Sequence, residues 1–486
     1  MKLKPTFFIL LTAIIIFQFS FFGLTYFEVL DDNNQLGVFN ILNDDIGENI
    51  IKDYKSYNVR PLAYVSDVYV FQWFSNNLYI VLLTMLIMHV FNVFFIYKIA
   101  EKIGVKLNAF CLVLFALSPI LIEGLYWISA STRIVISLFF SLASIYLLLK
   151  SFDEDRKKQK IFYLIVSIIL NLICVGYYEQ TVALNLFLFV FVLICLKKYK
   201  YIFIPLTSTA WIGVWYLYFM LNGQMQERGT LGISGIFSKG IHLVKQVYIY
   251  YRNAFYNFRY SLGFGKEVIL SAVLSVVLFA LIATFVYYIY KNKCNKDENE
   301  KNNIWKKIIL GGIIFATPFL PFLILESGVL AVRNFYISTL GLSIIIGVLV
   351  DLILKLIKNE TACNIIKTIL IGVITCLFVV SNIDGVNNYK KVKAIDDKVA
   401  KQIVEELGEQ AFEEQKTISI NYDAEALYKY KNLSNYVEST PEAGWTLMGK
   451  IQVYRNDVDV GMIYINSMQD EADYVLYFDN EMNLIH

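Results

Sequence analysis

Apolar residues along this chain fall in long blocks, each cut off by a short polar interval. The blocks predict spans at 6–28, 77–98, 107–125, 131–150, 161–178, 182–197, 202–221, 268–290, 308–325, 336–356 and 364–382. About 20 apolar residues in a helix cross ~30 Å of hydrocarbon, far more than a buried strand requires. The polar intervals alternate in kind. "YKIAEKIGVK", "KSFDEDRKKQK", "KKYKY", "YKNKCNKDENEKNNIWKK" and "KLIKNE" each hold several basic residues, whereas "GLYWISAS" and "GYYEQT" hold none. Lys and Arg accumulate on the cytoplasmic side of a bilayer, so the alternation predicts eleven spans, an internal N-terminus and an external C-terminus. The first block follows "MKLKP" with no small-x-small cleavage site before the acids, and is expected to stay as a signal-anchor helix.

This orientation sorts the polar chain. Outside lie a first loop (29–76), a second loop (222–267), a short turn (326–335) and a tail from about residue 384. Within the first loop, "NVRPLAYVSDVYVFQWF" reads as an amphipathic helix lying in the interface plane. The tail is charged and helical in period through "DGVNNYKKVKAIDDKVAKQIVEELGEQAFEEQ", then shows strand-like runs, "KTISINY", "GKIQVYR", "VGMIYINS" and "DYVLYF". The expected fold is an all-α polytopic membrane domain over 1–383, followed by a small extracytoplasmic α/β domain over 384–486.

Composition narrows the class. Hydrophobic residues make up 57% and charged residues 17%, with a mean hydropathy of +0.54, where soluble domains carry about a quarter charged residues. The basic residues sit in short clusters between spans, which argues against nucleic-acid binding. Six cysteines, at 111, 174, 195, 294, 363 and 376, fall in spans or on the cytoplasmic side. Neither a disulfide framework nor a structural zinc site is expected from them. Richness in Lys, Ile and Asn suits a low-GC bacterium, and hence a multi-pass protein of its plasma membrane.

Polar residues gather on the outer side. "FGLTYFEVLDDNNQLGVF" places Asp31 and Asp32 directly after the first span, and Asp44 and Asp45 form a second pair in the same loop. Arg60 opens "RPL"; Glu123 lies in "ALSPILIEGLYWIS", Arg133 in "SASTRIVISLFF", and Arg333 in "ESGVLAVRNFYIST". Glu179 stands in "VGYYEQTVALNLF" among Tyr177, Tyr178 and Gln180. Any one of these reads as an interfacial anchor. Together they favour a polar cavity opening outward, because ionisable groups at membrane depth pair or serve a site. His89, mid-span in "MLIMHVFNVFF", reads as a satisfied helix–helix contact.

These stretches, with "MHVFNVFF", "LSPILIEGLYWISASTRIVISLFFSLASIYLLL", "YYEQTVALN" and "VRNFYISTLGLSIII", resemble the GT-C superfamily of membrane glycosyltransferases over roughly residues 5 to 350. The likeness extends in particular to protein O-mannosyltransferases, their transmembrane-and-TPR relatives and bacterial Gtr-type O-antigen glucosyltransferases. It implies a polyprenyl-phosphate sugar donor and an inverting transfer to a glycan, lipid or protein acceptor of the cell envelope. It makes Asp31 or Asp32 the base, and the position of Asp32 further from the apolar edge gives that acid a slight preference; it makes Glu179 the acid of the family's "KE" motif, its lysine replaced here by Tyr178. Glu123 stands where relatives carry an acid after a proline, and Arg333 matches an "RY" arginine, although "NFY" follows here. Arg60, Arg133, Tyr178 and Gln180 complete the expected substrate-binding set.

The chemistry is coherent on its own terms. Displacing a lipid phosphate from an anomeric carbon needs a base at the acceptor hydroxyl and positive charge at the departing phosphate. Mg²⁺ or Mn²⁺ on the paired acids is left open. Two other readings share the outward cavity: a transporter or flippase of lipid-linked sugars, and a polymerase or ligase of lipid-linked glycans. His242, Arg252 and Arg259 in "KGIHLVKQVYIYYRNAFYNFRY" would serve the latter.

Overall fold

A computed structural model describes residues 3, 5–39, 60–222, 235–261, 300–325, 330–357, 359–414, 416–423, 425, 444–456, 463–465 and 472–485. Within them every predicted block is largely helical; the block at 268–290 lies outside the described residues, as do Asp44 and Asp45. In chain order the helices are α1 (Pro5–Phe19), α2 (Asp31–Phe39), α3 (Pro61–Trp73), α4 (Leu78–Lys102), α5 (Ala109–Ala116), α6 (Ile122–Tyr126), α7 (Ile128–Asp153) and α8 (Lys157–Tyr177). There follow α9 (Gln180–Leu196), α10 (Phe203–Leu221), α11 (Ile236–Ser261), α12 (Glu300–Ala316), α13 (Leu320–Ile324), α14 (Phe335–Leu354) and α15 (Glu360–Glu413). The tail adds β1 (Ile418–Tyr422), α16 (Gly444–Arg455), β2 (Ile463–Ile465), β3 (Tyr474–Phe478) and β4 (Leu484–Ile485).

Among the described residues seven helices are long and apolar enough to cross a bilayer: Ser75–Lys102, Ile128–Asp153, Lys157–Tyr177, Tyr199–Leu221, Ile304–Ile324, Val332–Leu354 and Thr361–Gly408. The pair α5 and Pro119–Tyr126 would make an eighth, bent by 42°. The bend falls where Ser118 takes an extended ψ of 125° ahead of Pro119, as the residue before a proline does. α1 and α9 are apolar but shorter. The predicted span 6–28 is thus helical only to Phe19, and the chain from there to α2 is irregular. The architecture is that of an all-α membrane-spanning protein. Ile161, Phe162, Ile165 and Ile169 of α8 and Val214, Leu217 and Leu221 of α10 present open apolar faces suited to lipid.

Lipid tails are as apolar as leucine, so helices in a bilayer associate through close packing and polar contacts. Both devices are present. A Cβ on Gly341 of α14 would lie 2.3 Å from the Phe315 nitrogen and 2.4 Å from the Gly311 oxygen of α12, so the two backbones touch. Ser144 of α7 donates to the Ser167 carbonyl of α8 at 2.6 Å, and Asn185 of α9 donates to Asn171 of α8 at 3.1 Å. His89 of α4 is fully buried. Its Nε2 donates to the Ala116 carbonyl at 3.0 Å, so its Nδ1 accepts from the Tyr336 hydroxyl at 2.7 Å. It is a satisfied helix–helix contact.

The tail differs from the pattern read from sequence in two places. The boundary expected at 383/384 falls inside α15, which runs on until Gly408, at φ 67°, breaks it. The packing changes later along the same helix: one apolar cluster takes in Val392, and a second begins at Val399 and gathers Ile403, Phe412, Ile418, Leu447, Ile451 and Phe478. "GKIQVYR" is a correction: it lies in α16 and is not a strand. Its Ile451 and Val453 suggested alternation, but burial follows helical spacing, with Leu447 and Ile451 enclosed and Val453 and Tyr454 not. The sheet order is β2-β1-β3-β4, with β1 parallel to both its neighbours and β4 antiparallel to β3.

Candidate functional site

α2 begins with the two acids, and the chain reaches it through Leu30, whose φ of 50° is rare outside glycine and asparagine. Surrounding contacts must hold that turn. Asp32 supplies them: fully buried, it accepts from the Ser129 amide at 2.9 Å, from the Ser129 hydroxyl at 2.5 Å and from the Tyr26 hydroxyl. The Ser129 amide belongs to the first turn of α7, where backbone N–H groups lack intrahelical partners and favour a carboxylate. Burial nevertheless outweighs these bonds and pushes Asp32 up to about 7. Asp31 is its opposite. It is half-buried and has no ion pair or side-chain hydrogen bond among the described residues.

Near these acids stand three arginine–carboxylate pairs, each joining distant parts of the chain, and Asp31 acts on members of two of them. Arg60, just before α3, grips Glu179 with two bonds of 2.5 and 2.6 Å. Arg133 of α7 donates to Asp67 of α3 at 2.6 Å, and Arg333, at the entry to α14, donates to Glu123 of α6 at 2.8 Å. Two of the guanidinium groups also stack, Arg60 over the Tyr178 ring at 4.5 Å and Arg333 over Trp127 at 4.8 Å. Asn334 ties the pairs together, donating to the Tyr178 hydroxyl at 2.5 Å and accepting at its carbonyl from Gln180 at 3.3 Å. The charge of Asp31 acts on both Asp67 and Arg333, and that of Arg133 on Arg60 and Glu179.

All nine residues singled out from sequence therefore lie in or beside one connected cluster. Burial raises the Glu179 carboxyl, but the Arg60 guanidinium wins and holds it below the ordinary range. Asp67 is raised, because burial exceeds what Arg133 returns. Asp67 escaped the sequence reading together with Tyr26, Trp127, Ser129 and Asn334. Its signal was present, since a lone acid in the largely apolar "LAYVSDVYVF" must find a cation if buried.

Several buried polar atoms here make no hydrogen bond among the described residues: Trp127 Nε1, Gln180 Oε1 and Asp67 Oδ1. Buried polar groups are nearly always satisfied, so these atoms keep hydrogen-bonding capacity open within the cluster. Among the described residues no three His, Cys, Asp or Glu side chains converge as a metal site. A divalent ion would instead rest on Asp31 and on oxygens of a bound phosphate, as Mg²⁺ commonly does. His242 and Arg252 are exposed on α11, with Arg252 donating to its neighbour Asn253, and the Arg259 side chain lies outside the described residues.

No family model, no curated protein and no solved structure matches this chain. The site must be read from its own geometry.

Proposed function

We propose that this protein is a GT-C-like inverting glycosyltransferase that moves a sugar from a polyprenyl phosphate to a cell-envelope acceptor, a glycan, lipid or protein, on the outer face of a bacterial plasma membrane. The observation that carries the reading is Asp31: a half-buried carboxylate with no ion pair among the described residues, whose charge acts on Arg333 and on Asp67, the partner of Arg133. In this reading the chain has eleven spans, and the α/β tail lies outside with the site.

Asp31 takes the proton from the acceptor hydroxyl as that oxygen attacks the anomeric carbon. The bond from that carbon to the phosphate oxygen breaks, the configuration inverts, and polyprenyl phosphate leaves with the electron pair. Arg333 suits the departing phosphate best. It holds Glu123 through one bond and is 33% exposed, whereas Arg60 is fixed through both edges to Glu179. Any Mg²⁺ or Mn²⁺ held by Asp31 would add charge at the phosphate. We place the base at Asp31 and not at Asp32, because Ser129 and Tyr26 already engage both Asp32 oxygens and fix that carboxyl at the start of α2.

The test uses purified protein in lipid with a panel of polyprenyl-phosphate sugars, following release of polyprenyl phosphate. One donor should be consumed, with Asp31→Asn slowing turnover at least about a hundredfold. Wild-type rates in Asp31→Asn would remove Asp31 from the chemistry. Binding of donors without consumption of any would hand the site to a transporter of lipid-linked sugars.

A further inference from the structure

α2, described over Asp31–Phe39, draws its stability from packing outside itself, as most helices in proteins do. Something outside it must hold it. Its N-terminus is pinned to α7 through Asp32, but its body lies against α16 of the tail. The contact is backbone to backbone. A Cβ on Gly449 would lie 2.4 Å from the Asn34 Cα and 2.6 Å from the Asn33 oxygen. A Cβ on Gly37 would lie 2.5 Å from Gln452 Oε1 and 2.8 Å from the Gly449 oxygen. Only two glycines allow this crossing.

Beside the crossing sits a set of four mutually paired charges, with the buried Asp396 also acting on Lys450. Lys450 of α16, 6% exposed, donates to Asp397 of α15 at 2.6 Å and to Glu28 at 3.1 Å. Lys393 of α15 donates to the same Glu28 and to Asp397 at 3.1 Å. Glu28 lies three residues ahead of Asp31, on the segment that turns through Leu30 into α2. Two lysines on the tail side thus hold the approach to the acids, while the glycine crossing holds the helix behind them.

We infer that the tail is a clamp on the reaction centre: Lys450 and the Gly37–Gly449 crossing fix α2 and so set the position of Asp31. Lys450 is a positioning residue, acting on Asp31 through Glu28 and α2. The clamp rests on the glycosyltransferase reading only for what Asp31 does once placed.

Amide hydrogen exchange on the full chain in lipid nanodiscs separates the two. Gly449→Val and Lys450→Met should each speed exchange of residues 31–39 by about tenfold, leave α4 and α7 protected, and lower kcat with the donor KM retained. Lys450→Arg should keep the protection and most of the rate. Wild-type protection of 31–39 in both disruptive variants would overturn the clamp, as would equal loosening of α4 and α7. Should α2 loosen selectively while even wild type transfers no sugar, the clamp stands and the glycosyltransferase reading fails.

Discussion

Glu28 and Asp31 stand three residues apart, yet they belong to two differently built clusters of charge. Around Glu28 every charge has a bonded partner: Lys393 and Lys450 each bond both Glu28 and Asp397, and the Asp396 charge also acts on Lys450. Burial would lower Lys450, but Glu28 and Asp397 outweigh it and hold it above the ordinary lysine range, while burial on Asp397 yields to Lys450 and leaves that carboxyl low. Around Asp31 the charges do not balance. Three arginines are matched by Glu179, Asp67 and Glu123, and among the described residues Asp31 is left over without an ion pair. A closed network has nothing to offer a ligand and serves to hold parts in register. An open one is incomplete without something bound.

The comparison breaks most sharply if the leftover acid proves idle. Asp31→Asn should cost about 10²–10⁴ in turnover, measured as polyprenyl phosphate released, while thermal unfolding moves by no more than about 0.5 kcal/mol. A group with no ion pair or hydrogen bond among the described residues costs little to neutralise. A large loss of stability would mean that Asp31 belongs with the closed kind.

The reverse is expected of the matched acids. Glu179→Gln leaves the Arg60 guanidinium buried against Tyr178 without its counter-charge, and breaking a buried pair costs about 3–5 kcal/mol. Arg60 keeps some exposure, so about 2–3 kcal/mol is the better expectation here. Denaturation in detergent would report it, and adding Arg60→Met should recover part of the loss, since the two groups are coupled.

Much of this was legible in the chain itself. The long apolar blocks named the helices because a bilayer demands length, and each polar residue at a block's edge was conspicuous for interrupting it. What the chain could not show was pairing. Arg333 and Glu123 meet across 210 positions and Arg60 and Glu179 across 119, and no periodicity spans such distances. The roles of Asp31 and Asp32 were hidden for the same reason, because they depend on Ser129 and Tyr26 facing one acid and not the other. "GKIQVYR" was misread because a short apolar alternation fits strand and helix alike until burial decides.

Asp32 offers a finer test through pH. Its carboxyl titrates near 7 in the folded protein against an ordinary 3.8, so between those values the native state holds a proton that the unfolded chain has released. Stability from this group is complete below about pH 4 and is lost as pH rises to about 7, by at most about 1.4 kcal/mol per unit. Unfolding followed from pH 4.5 to 7.5 should show this slope in wild type and a flatter one in Asp32→Asn. An unchanged slope would place the titration elsewhere.

The smallest effect is expected from a pair with neither kind of surroundings. Lys102 and Asp153 join the far ends of α4 and α7, with side chains 40% and 51% exposed. Asp153 lies 20 residues along α7 from Arg133, about 30 Å at 1.5 Å per residue. Water screens such a pair, and its contribution is about 0–1 kcal/mol. Lys102→Met should therefore leave turnover within about twofold and stability within about 1 kcal/mol, although its charges approach as closely as any around Asp31. Both ends of α7 then carry a directly bonded pair of opposite charges, and what differs is burial and an unmatched neighbour. A Lys102→Met effect as large as that of Glu179→Gln would show that proximity alone sets these energies, and the distinction between open and closed clusters would lose its physical basis.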